Sequence, residues 1–187
     1  KAYIVYGSDG RGKAISVDAL GETQKLEIDF NFNSKIIAAS GVGDVNNDGL
    51  DDVIIGVANA DNESDASYVL YGQQEKISGS ITLSEGYIPS DLGFIIKHAA
   101  GGDMDGYNVS AAGDVNCDGR DDIIIGDPYA APNDIVESGA SYVVYGPDEG
   151  VSEINLDQLD SSSGFMIAGA AAGDQSGFSV SDAGDIN

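Results

Sequence analysis

A ten-residue phrase rich in Asp, Asn and Gly occurs twice in this chain and begins a third time. The complete copies span residues 43–52 and 113–122, and the third begins at residue 184. Counted from the first Asp of each copy, oxygen-bearing side chains stand at positions 1, 3, 5 and 9, and a Gly stands at position 6. This spacing suits calcium, because Ca²⁺ takes roughly six to eight oxygen ligands and alternate residues of a tight loop can point inward. Each complete copy therefore predicts a calcium-binding loop.

The residues after each loop decide which kind of loop it is. An EF-hand needs a bidentate Glu at position 12, followed by a helix. Position 12 is Ile55 in the first copy and Ile125 in the second, inside β-branched runs that end in Gly. Such runs predict short buried strands, which excludes an EF-hand and disfavours a dockerin-type loop and helix. The alternative is a turn that holds no metal, because Asp, Asn and Gly also dominate ordinary turns.

The repeat is larger than the loop, because the loops start 70 and 71 residues apart and other phrases recur at the same spacing. Each unit reads as strand, calcium loop, strand, polar loop, strand, longer connector, strand. The strands are continuous apolar runs, so both of their faces should be covered. Four-stranded sheets in series, covered on both faces, predict the blades of a β-propeller. A β-sandwich is the alternative, but it would not produce a 70-residue self-similarity. The recurring strand phrases lie at residues 3–7, 68–72 and 142–146, and at 93–96 and 164–167.

The residues before the loops resemble a known repeat. Residues 106–110 (Gly-Tyr-Asn-Val-Ser) and 177–181 (Gly-Phe-Ser-Val-Ser), each followed one residue later by Ala-Gly-Asp, resemble the FG-GAP repeat of integrin α-subunit propellers and their bacterial relatives. The resemblance covers nearly the whole chain and implies an all-β fold, with blades of four antiparallel strands and a calcium loop between the first and second strands. It implies about two and a half blades of a larger propeller, seven-bladed in that family. The first unit departs from the pattern, since residues 36–39 replace the Gly-aromatic-x-Val phrase.

Carried over residue by residue, the resemblance also implies the blade boundaries and the calcium ligands. The chain divides into the end of one blade (residues 1–35), two blades (36–105 and 106–176) and the start of another (177–187). The implied ligands of the first loop are Asp44, Asn46, Asp48, the Leu50 carbonyl and Asp52. Those of the second loop are Asp114, Asn116, Asp118, the Arg120 carbonyl and Asp122. A third site would begin at Asp185 and Asn187.

The composition favours an extracellular or cell-surface protein. The formal charge is −24, from 32 acidic and eight basic residues, so binding to nucleic acid is disfavoured because phosphate contacts need clustered Lys and Arg. No apolar run approaches the ~20 residues that span a bilayer, so membrane insertion is not predicted. The chain opens in a predicted strand, so any export signal would lie outside it. Calcium loops of modest ligand charge suit extracellular calcium, on the order of 10⁻⁴–10⁻³ M.

Catalysis finds little support in the sequence. His98 is the sole histidine and follows a predicted strand, where we expect a surface or loop residue and not a general base. There is no Gly-x-Ser-x-Gly elbow, Walker loop or His/Cys metal cluster, so we predict no catalytic residue and no cofactor other than Ca²⁺. A carboxylate pair could act as in glycosidases, but calcium explains the acids that recur at fixed spacing. The sequence therefore predicts a non-catalytic module for adhesion or surface assembly. The alternative is an accessory propeller of a larger secreted hydrolase, such as the phospholipase D that this repeat family includes.

The loops opposite the calcium rim are the predicted recognition surface. Residues 57–66 and 127–139 join the second and third strands of their blades and differ in length and sequence. Divergent loops on a repeated frame are where recognition usually resides, so we expect a protein or glycan ligand there. The alternative is that their acids are only solvated. Open blade faces also predict association with further blades or with copies of the chain.

Overall fold

The computed structural model describes residues 1–6, 20–21, 24–59, 65–75, 77, 79–98 and 108–184, and within them it is built from β-strands. Two 3-10 helices, Pro132–Asp134 and Leu156–Gln158, are the helical segments of this part of the chain, and neither is long and apolar enough to cross a membrane. The all-β prediction is confirmed. The strands are β1 (Ala2–Val5), β2 (Lys25–Phe30), β3 (Ser34–Gly43), β4 (Asp52–Asn59), β5 (Ala66–Leu70), β6 (Gly79–Leu83), β7 (Gly93–Lys97), β8 (Asn108–Gly113), β9 (Asp122–Asp127), β10 (Ala140–Val144), β11 (Glu153–Asn155) and β12 (Gly164–Ala168).

The described strands form three sheets that follow the 70-residue repeat. The second sheet runs β3-β4-β5-β7 and the third runs β8-β9-β10-β12, with every neighbouring pair antiparallel. The first sheet contains β1 and β2, also antiparallel. The Asp-rich loops join β3 to β4 and β8 to β9, so each loop lies between the first two strands of its sheet. Four antiparallel strands per blade, with the loop in this place, is the arrangement that the sequence predicts.

Each connector between the third and fourth strands adds a strand to the preceding sheet. Strand β6 lies between β5 and β7 in the chain, yet it pairs in parallel with β2. Strand β11 lies between β10 and β12, yet it pairs in parallel with β7, with Glu153 opposite Ile95. An edge strand presents unpaired N–H and C=O groups that need partners. Each repeat therefore closes the outer edge of the sheet before it, which the pattern of four strands per unit does not predict.

The second sheet is buried on both faces. Side chains alternate across a strand, so Phe94 and Ile96 of β7 face the third sheet and Ile95 faces the first sheet. The same alternation places Ile54 and Ile55 of β4 in different cores. This explains why the strands are continuous apolar runs. The core between the second and third sheets includes Val42, Val45, Ile54, Val69, Phe94, Ile96, Val109, Ile123, Ile125, Tyr142 and Val144.

The face of the third sheet that points away from the second sheet is exposed. Phe94 of β7 is fully buried, whereas Phe165 at the same place in β12 is 38% exposed. Residues 177–184, which the repeat predicts as the first strand of another blade, form no strand. A strand needs a ladder partner, and the second strand of that blade is not among the described residues. The chain here instead packs on the third sheet, with the Asn108 side chain donating to the carbonyl oxygen of Phe178 at 2.6 Å.

The first strand of the second sheet forms despite its unusual sequence. Strand β3 has ten residues and includes residues 36–39, where the Gly-aromatic-x-Val phrase is missing. Its pairing with β4 shifts register between Ile36 and Ala38 and again between Gly41 and Gly43. These irregularities are of the kind that a β-bulge introduces, which bends a strand without ending the ladder. The shift at Gly41 recurs at the equivalent place in β8, so only the shift at Ile36 accompanies the departure in sequence, which leaves the strand in its place.

His98 is buried, which corrects the expectation of an exposed position. It follows β7 directly, is 6% exposed, and its Nε2 atom lies 2.9 Å from the Ser67 hydroxyl oxygen in a hydrogen bond. Its backbone N–H donates to the carbonyl oxygen of Asp65. Burial lowers the pKa of His98 to about 3. The imidazole is therefore neutral in the folded protein at neutral pH and belongs to the packing of the second sheet.

We predict that His98 makes the fold sensitive to acid. The pKa of His98 in the folded protein lies below the value of roughly 6.5 expected in the unfolded chain. The contribution of neutral His98 to the free energy of unfolding is therefore complete above that pH and is lost as pH falls. The free energy of unfolding should drop by about 2 kcal/mol between pH 6.5 and 5 on this account. Urea denaturation should show that His98→Gln flattens this dependence and that Ser67→Ala keeps it. Equal pH slopes for wild type and His98→Gln would contradict the prediction.

Candidate metal centre

The two Asp-rich loops adopt the same backbone conformation. Asn47 and Cys117 at position 4 have φ angles of 59° and 60°, and Gly49 and Gly119 at position 6 have 87° and 90°. These positive angles lie in the left-handed region, which Gly adopts without strain and Asn tolerates better than most residues. Cys117 is exposed and is a free thiol. The identical turns explain why the phrase recurs in the sequence with Gly at a fixed place.

The first Asp of each loop closes the turn. In the first loop, Asp44 Oδ1 accepts from the Asp48 backbone N–H at 2.9 Å, and Asp44 Oδ2 accepts from the Gly49 N–H at 2.7 Å. Asn46 Oδ1 accepts from the Asp48 N–H at 3.0 Å, and Asp48 Oδ1 accepts from the Leu50 N–H at 2.9 Å. The second loop repeats these four bonds at 3.0, 2.9, 2.9 and 2.9 Å through Asp114, Asn116 and Asp118.

The Asp at position 9 of each loop is buried. Asp52 is 1% exposed, and its carboxylate accepts from the Val45 N–H at 2.9 Å and the Gly72 N–H at 2.7 Å. Asp122 is fully buried and accepts from the backbone N–H groups of Val115 and Gly146 at 2.8 and 2.9 Å. This carboxylate therefore ties the start of its loop to the Tyr-Gly phrase that follows the third strand of the same sheet. Both phrases recur in the sequence, but the sequence does not show that they are hydrogen-bonded to each other.

Burial and neighbouring acids disfavour the ionised forms of the position-9 carboxylates. Burial raises the pKa of Asp52 to about 6; the backbone hydrogen bonds oppose this effect, and the Asp48 and Asp44 carboxylates add to it. Burial likewise raises the pKa of Asp122, with a smaller contribution from the Asp118 carboxylate. A cation among these acids would favour their ionised forms. The negative charge of each loop therefore suits a bound cation.

The donor atoms fit a hard cation as well. Every side-chain donor in the predicted sets is a carboxylate or amide oxygen, the kind of ligand that Ca²⁺ prefers. Within the described part of the chain, no three His, Cys, Asp or Glu side chains are grouped so as to hold a metal by themselves. A calcium ion in either loop would therefore need further oxygen ligands, such as the side chain of Asn46 or Asn116 and the carbonyl at position 7. Asp185 and Asn187, the start of the predicted third site, lie outside the described residues.

Arg120 makes the two loops differ. Its guanidinium pairs with Asp148 at 2.9 Å and lies 3.9 Å from the Asp118 carboxylate. The residue at the same position of the first loop is Leu50, which carries no charge. A cation in the second loop would therefore share the Asp118 carboxylate with a resident positive charge, whereas the first loop has no such competitor at this position.

The two loops also contact each other through Asp121, the position-8 residue of the second loop. Its carboxylate Oδ2 accepts from the Asp44 backbone N–H at 2.8 Å, and its own N–H donates to the Asp44 carbonyl oxygen at 3.0 Å. A Cβ atom at Gly43 would overlap the Asp121 carboxylate. This role of Asp121 was not predicted, because the resemblance assigns the second Asp of the closing Asp-Asp pair as a ligand and gives the first none.

Stacked antiparallel sheets, each with an Asp-rich loop between its first two strands, define this chain as a series of propeller blades. Residues 106–144, which run from the approach to the second loop through the third strand of that blade, match the family model for the FG-GAP repeat. The chain belongs to the FG-GAP repeat family and is related to the integrin α-subunits.

The similar proteins are much longer than this chain. Integrin alpha pat-2 of Caenorhabditis briggsae is 30% identical over 94% of the chain, and its Caenorhabditis elegans counterpart is 31% identical over 85%. Human phosphatidylinositol-glycan-specific phospholipase D is 27% identical over 70% of the chain. The chain spans only 13–15% of the length of these curated relatives. It therefore corresponds to a small part of each of them.

We predict that Asp122→Ala destabilises the fold even without metal. The change leaves the N–H groups of Val115 and Gly146 without their acceptor in a buried place, and each unmet buried donor costs about 1–3 kcal/mol. Urea denaturation in a chelator should show a total loss of roughly 2–5 kcal/mol. The control is Asp148→Ala, which removes an exposed ion pair and should cost at most about 1 kcal/mol. Equal effects of the two changes would contradict a structural role for Asp122.

Proposed function

We propose that the chain is a calcium-stabilised, extracellular β-propeller module that binds a protein or glycan in cell adhesion or surface assembly, without catalysis of its own. The observation that carries the proposal is the repeated loop in which a buried Asp and two further carboxylates share one tight turn. The proposed ligands are Asp44, Asn46, Asp48, the Leu50 carbonyl and Asp52 in one loop, and Asp114, Asn116, Asp118, the Arg120 carbonyl and Asp122 in the other.

Calcium would stiffen the rim on which these loops lie. Three carboxylates in each turn repel one another when ionised, and the position-9 Asp is anchored to backbone N–H groups that hold the blade together. An ion coordinated by all three would replace repulsion with attraction and hold the loop to its own sheet. The proposed role of the ion is therefore structural. This agrees with loops whose side-chain oxygens already accept hydrogen bonds that order the backbone.

Ligand recognition is proposed for the rim opposite the calcium loops. The loop between β9 and β10 leaves the opposite end of β9 from the calcium loop. It exposes Asp134, Val136 and Glu137, with Val136 67% exposed. Its counterpart in the second sheet includes residues 60–64, which lie outside the described residues. An exposed apolar side chain between two acids could contact a protein or glycan that carries positive charge or bound calcium.

Further blades are the proposed partners of the open sheet faces. Phe165 and Ile167 of β12 are 38% and 49% exposed, although their counterparts Phe94 and Ile96 in β7 are buried by the next sheet. Closed propellers have about four to eight blades, and the curated relatives are several times longer than this chain. We propose that additional repeats of a longer protein, or copies of this chain, cover that face.

The described residues support a non-catalytic role. His98 is buried against Ser67 and is not offered to a substrate. A second candidate function is an accessory propeller in a larger secreted hydrolase, which the similarity to the human phospholipase D favours. A catalytic domain in the parent gene would support this candidate, whereas further repeats or adhesion domains would support the binding module.

Calcium should raise thermal stability through the two loops. With site affinities of about 10⁻⁴–10⁻³ M, 10 mM Ca²⁺ should add about 3–5 kcal/mol over two sites. Melting curves should therefore rise by roughly 6–20 °C relative to chelator. Asp48→Ala with Asp118→Ala should remove most of this rise. The control pair Asp134→Ala with Glu137→Ala makes the same charge change outside the loops and should keep it. Calorimetry of the metal-free protein that shows no binding at millimolar Ca²⁺ would defeat the calcium proposal.

Partner binding should require calcium and the opposite rim together. The protein, immobilised with Ca²⁺, should retain specific proteins or glycans from cell-surface extracts and release them in chelator. Replacing residues 132–137 with a Gly/Ser segment of equal length should abolish retention and keep the calcium-dependent rise in melting temperature. Partners retained equally in chelator, or hydrolysis of a lipid or glycan by the purified chain, would contradict the proposed function.

A further inference from the structure

We propose that Asp121 couples the two loops, so that calcium in the second loop raises the calcium affinity of the first. The inference rests on the proposed calcium binding and adds a regulatory role for a residue outside both ligand sets. Asp121 holds both backbone polar groups of Asp44, the first residue of the neighbouring loop, at 2.8 and 3.0 Å. It acts as a positioning residue that links one loop to the next.

The place of Asp121 in its own loop makes this contact sensitive to metal. Its chain neighbours are Arg120, whose carbonyl is a proposed ligand, and Asp122, whose carboxylate is another. An ion held by both neighbours would fix the backbone on each side of Asp121. The same residue would then present the hydrogen-bonding groups that orient Asp44. Calcium in the second loop would thus order the first ligand of the first loop before an ion arrives there.

The fit between the loops depends on two glycines. Gly43 has a φ angle of 71°, and a Cβ atom there would overlap the Asp121 carboxylate. A Cβ atom at Gly146 would overlap the carbonyl oxygen of Val45 in the first loop and crowd that of Asp121 in the second. Both glycines belong to phrases that recur along the chain. The close approach of the loops is therefore built into the repeat and does not depend on a chance surface contact.

The expected coupling is positive because ordering costs are shared. Fixing the backbone of a residue costs conformational entropy, and a site that is already ordered does not incur that cost again. Direct repulsion between two divalent ions acts in the opposite direction and is weakened by salt. A positive coupling therefore indicates that shared ordering dominates, whereas a negative coupling indicates that repulsion between the ions dominates. By reciprocity, calcium in the first loop raises the affinity of the second by the same factor.

The chain contains a matched control for Asp121. Asp51 occupies position 8 of the first loop, is exposed, and has no preceding Asp-rich loop beside it among the described residues. Asp51→Ala therefore makes the same change in charge and volume without touching a loop-to-loop contact. Asp121→Asn is the conservative variant, because its amide oxygen can still accept from the Asp44 N–H.

The test follows each loop separately by its own amide signal. The Gly49 N–H donates to Asp44 and the Gly119 N–H donates to Asp114, so their NMR shifts report calcium in the first and second loop. Titrations at 0.15 M salt use the 187-residue chain with and without Asp118→Ala, which removes the second site. In the parent, Asp118→Ala should weaken calcium binding at Gly49 on the order of tenfold.

The variants decide whether Asp121 carries this effect. In an Asp121→Ala background, Asp118→Ala should change the Gly49 affinity less than about twofold, whereas Asp51→Ala and Asp121→Asn backgrounds should keep the tenfold loss. If both loops bind calcium but Asp118→Ala acts equally with and without Asp121→Ala, the coupling proposal fails and calcium binding stands. If Asp121→Asn loses the coupling as fully as Ala, the charge and not the hydrogen bond carries it, and the proposal also fails. If neither glycine signal responds to millimolar Ca²⁺, the proposed calcium function itself fails.

Discussion

Burial of both faces of each sheet is the constraint on which the rest of this structure depends. Strands β4 and β7 send neighbouring apolar side chains into two different cores, so the second sheet needs a sheet on either side. The same phrase in β12 is exposed where that neighbour is missing. Stacking in turn brings the ends of adjacent sheets together at two rims. The Asp-rich loops lie close to one another because the apolar strands that they connect pack against one another.

Within this apolar stack, the position-9 Asp is a buried polar residue that recurs in both loops. Asp52 and Asp122 are almost without exposure, yet each carboxylate has two backbone donors. A buried acid so satisfied specifies where the loop, the second strand and the Tyr-Gly phrase meet. Its ionised form is nevertheless disfavoured by burial and by neighbouring acids. The stacking frame and the proposed metal chemistry therefore meet in one residue of each repeat.

The sequence is informative where a property belongs to one repeat. The turn at Gly49 and Gly119, the strand order and the two-sided burial all follow from local residue types and the 70-residue spacing. What it could not predict depends on contacts between repeats. Strands β6 and β11 are short, and their partners lie in the preceding sheet. The burial of His98 is decided by packing beyond its strand, and Asp121 touches a different loop from its own. Calcium binding by the two loops stays a prediction.

The parallel pairing of β6 with β2 and of β11 with β7 has a consequence for synthesis on the ribosome. About 50 residues separate the end of β2 from the start of β6, and a similar length separates β7 from β11. At roughly 5–20 residues per second, each sheet edge waits several seconds for the strand that will cover it. The nascent chain thus always carries one unprotected edge, which moves forward one repeat at a time. A pause in translation within a connector would prolong the exposure of the sheet before it.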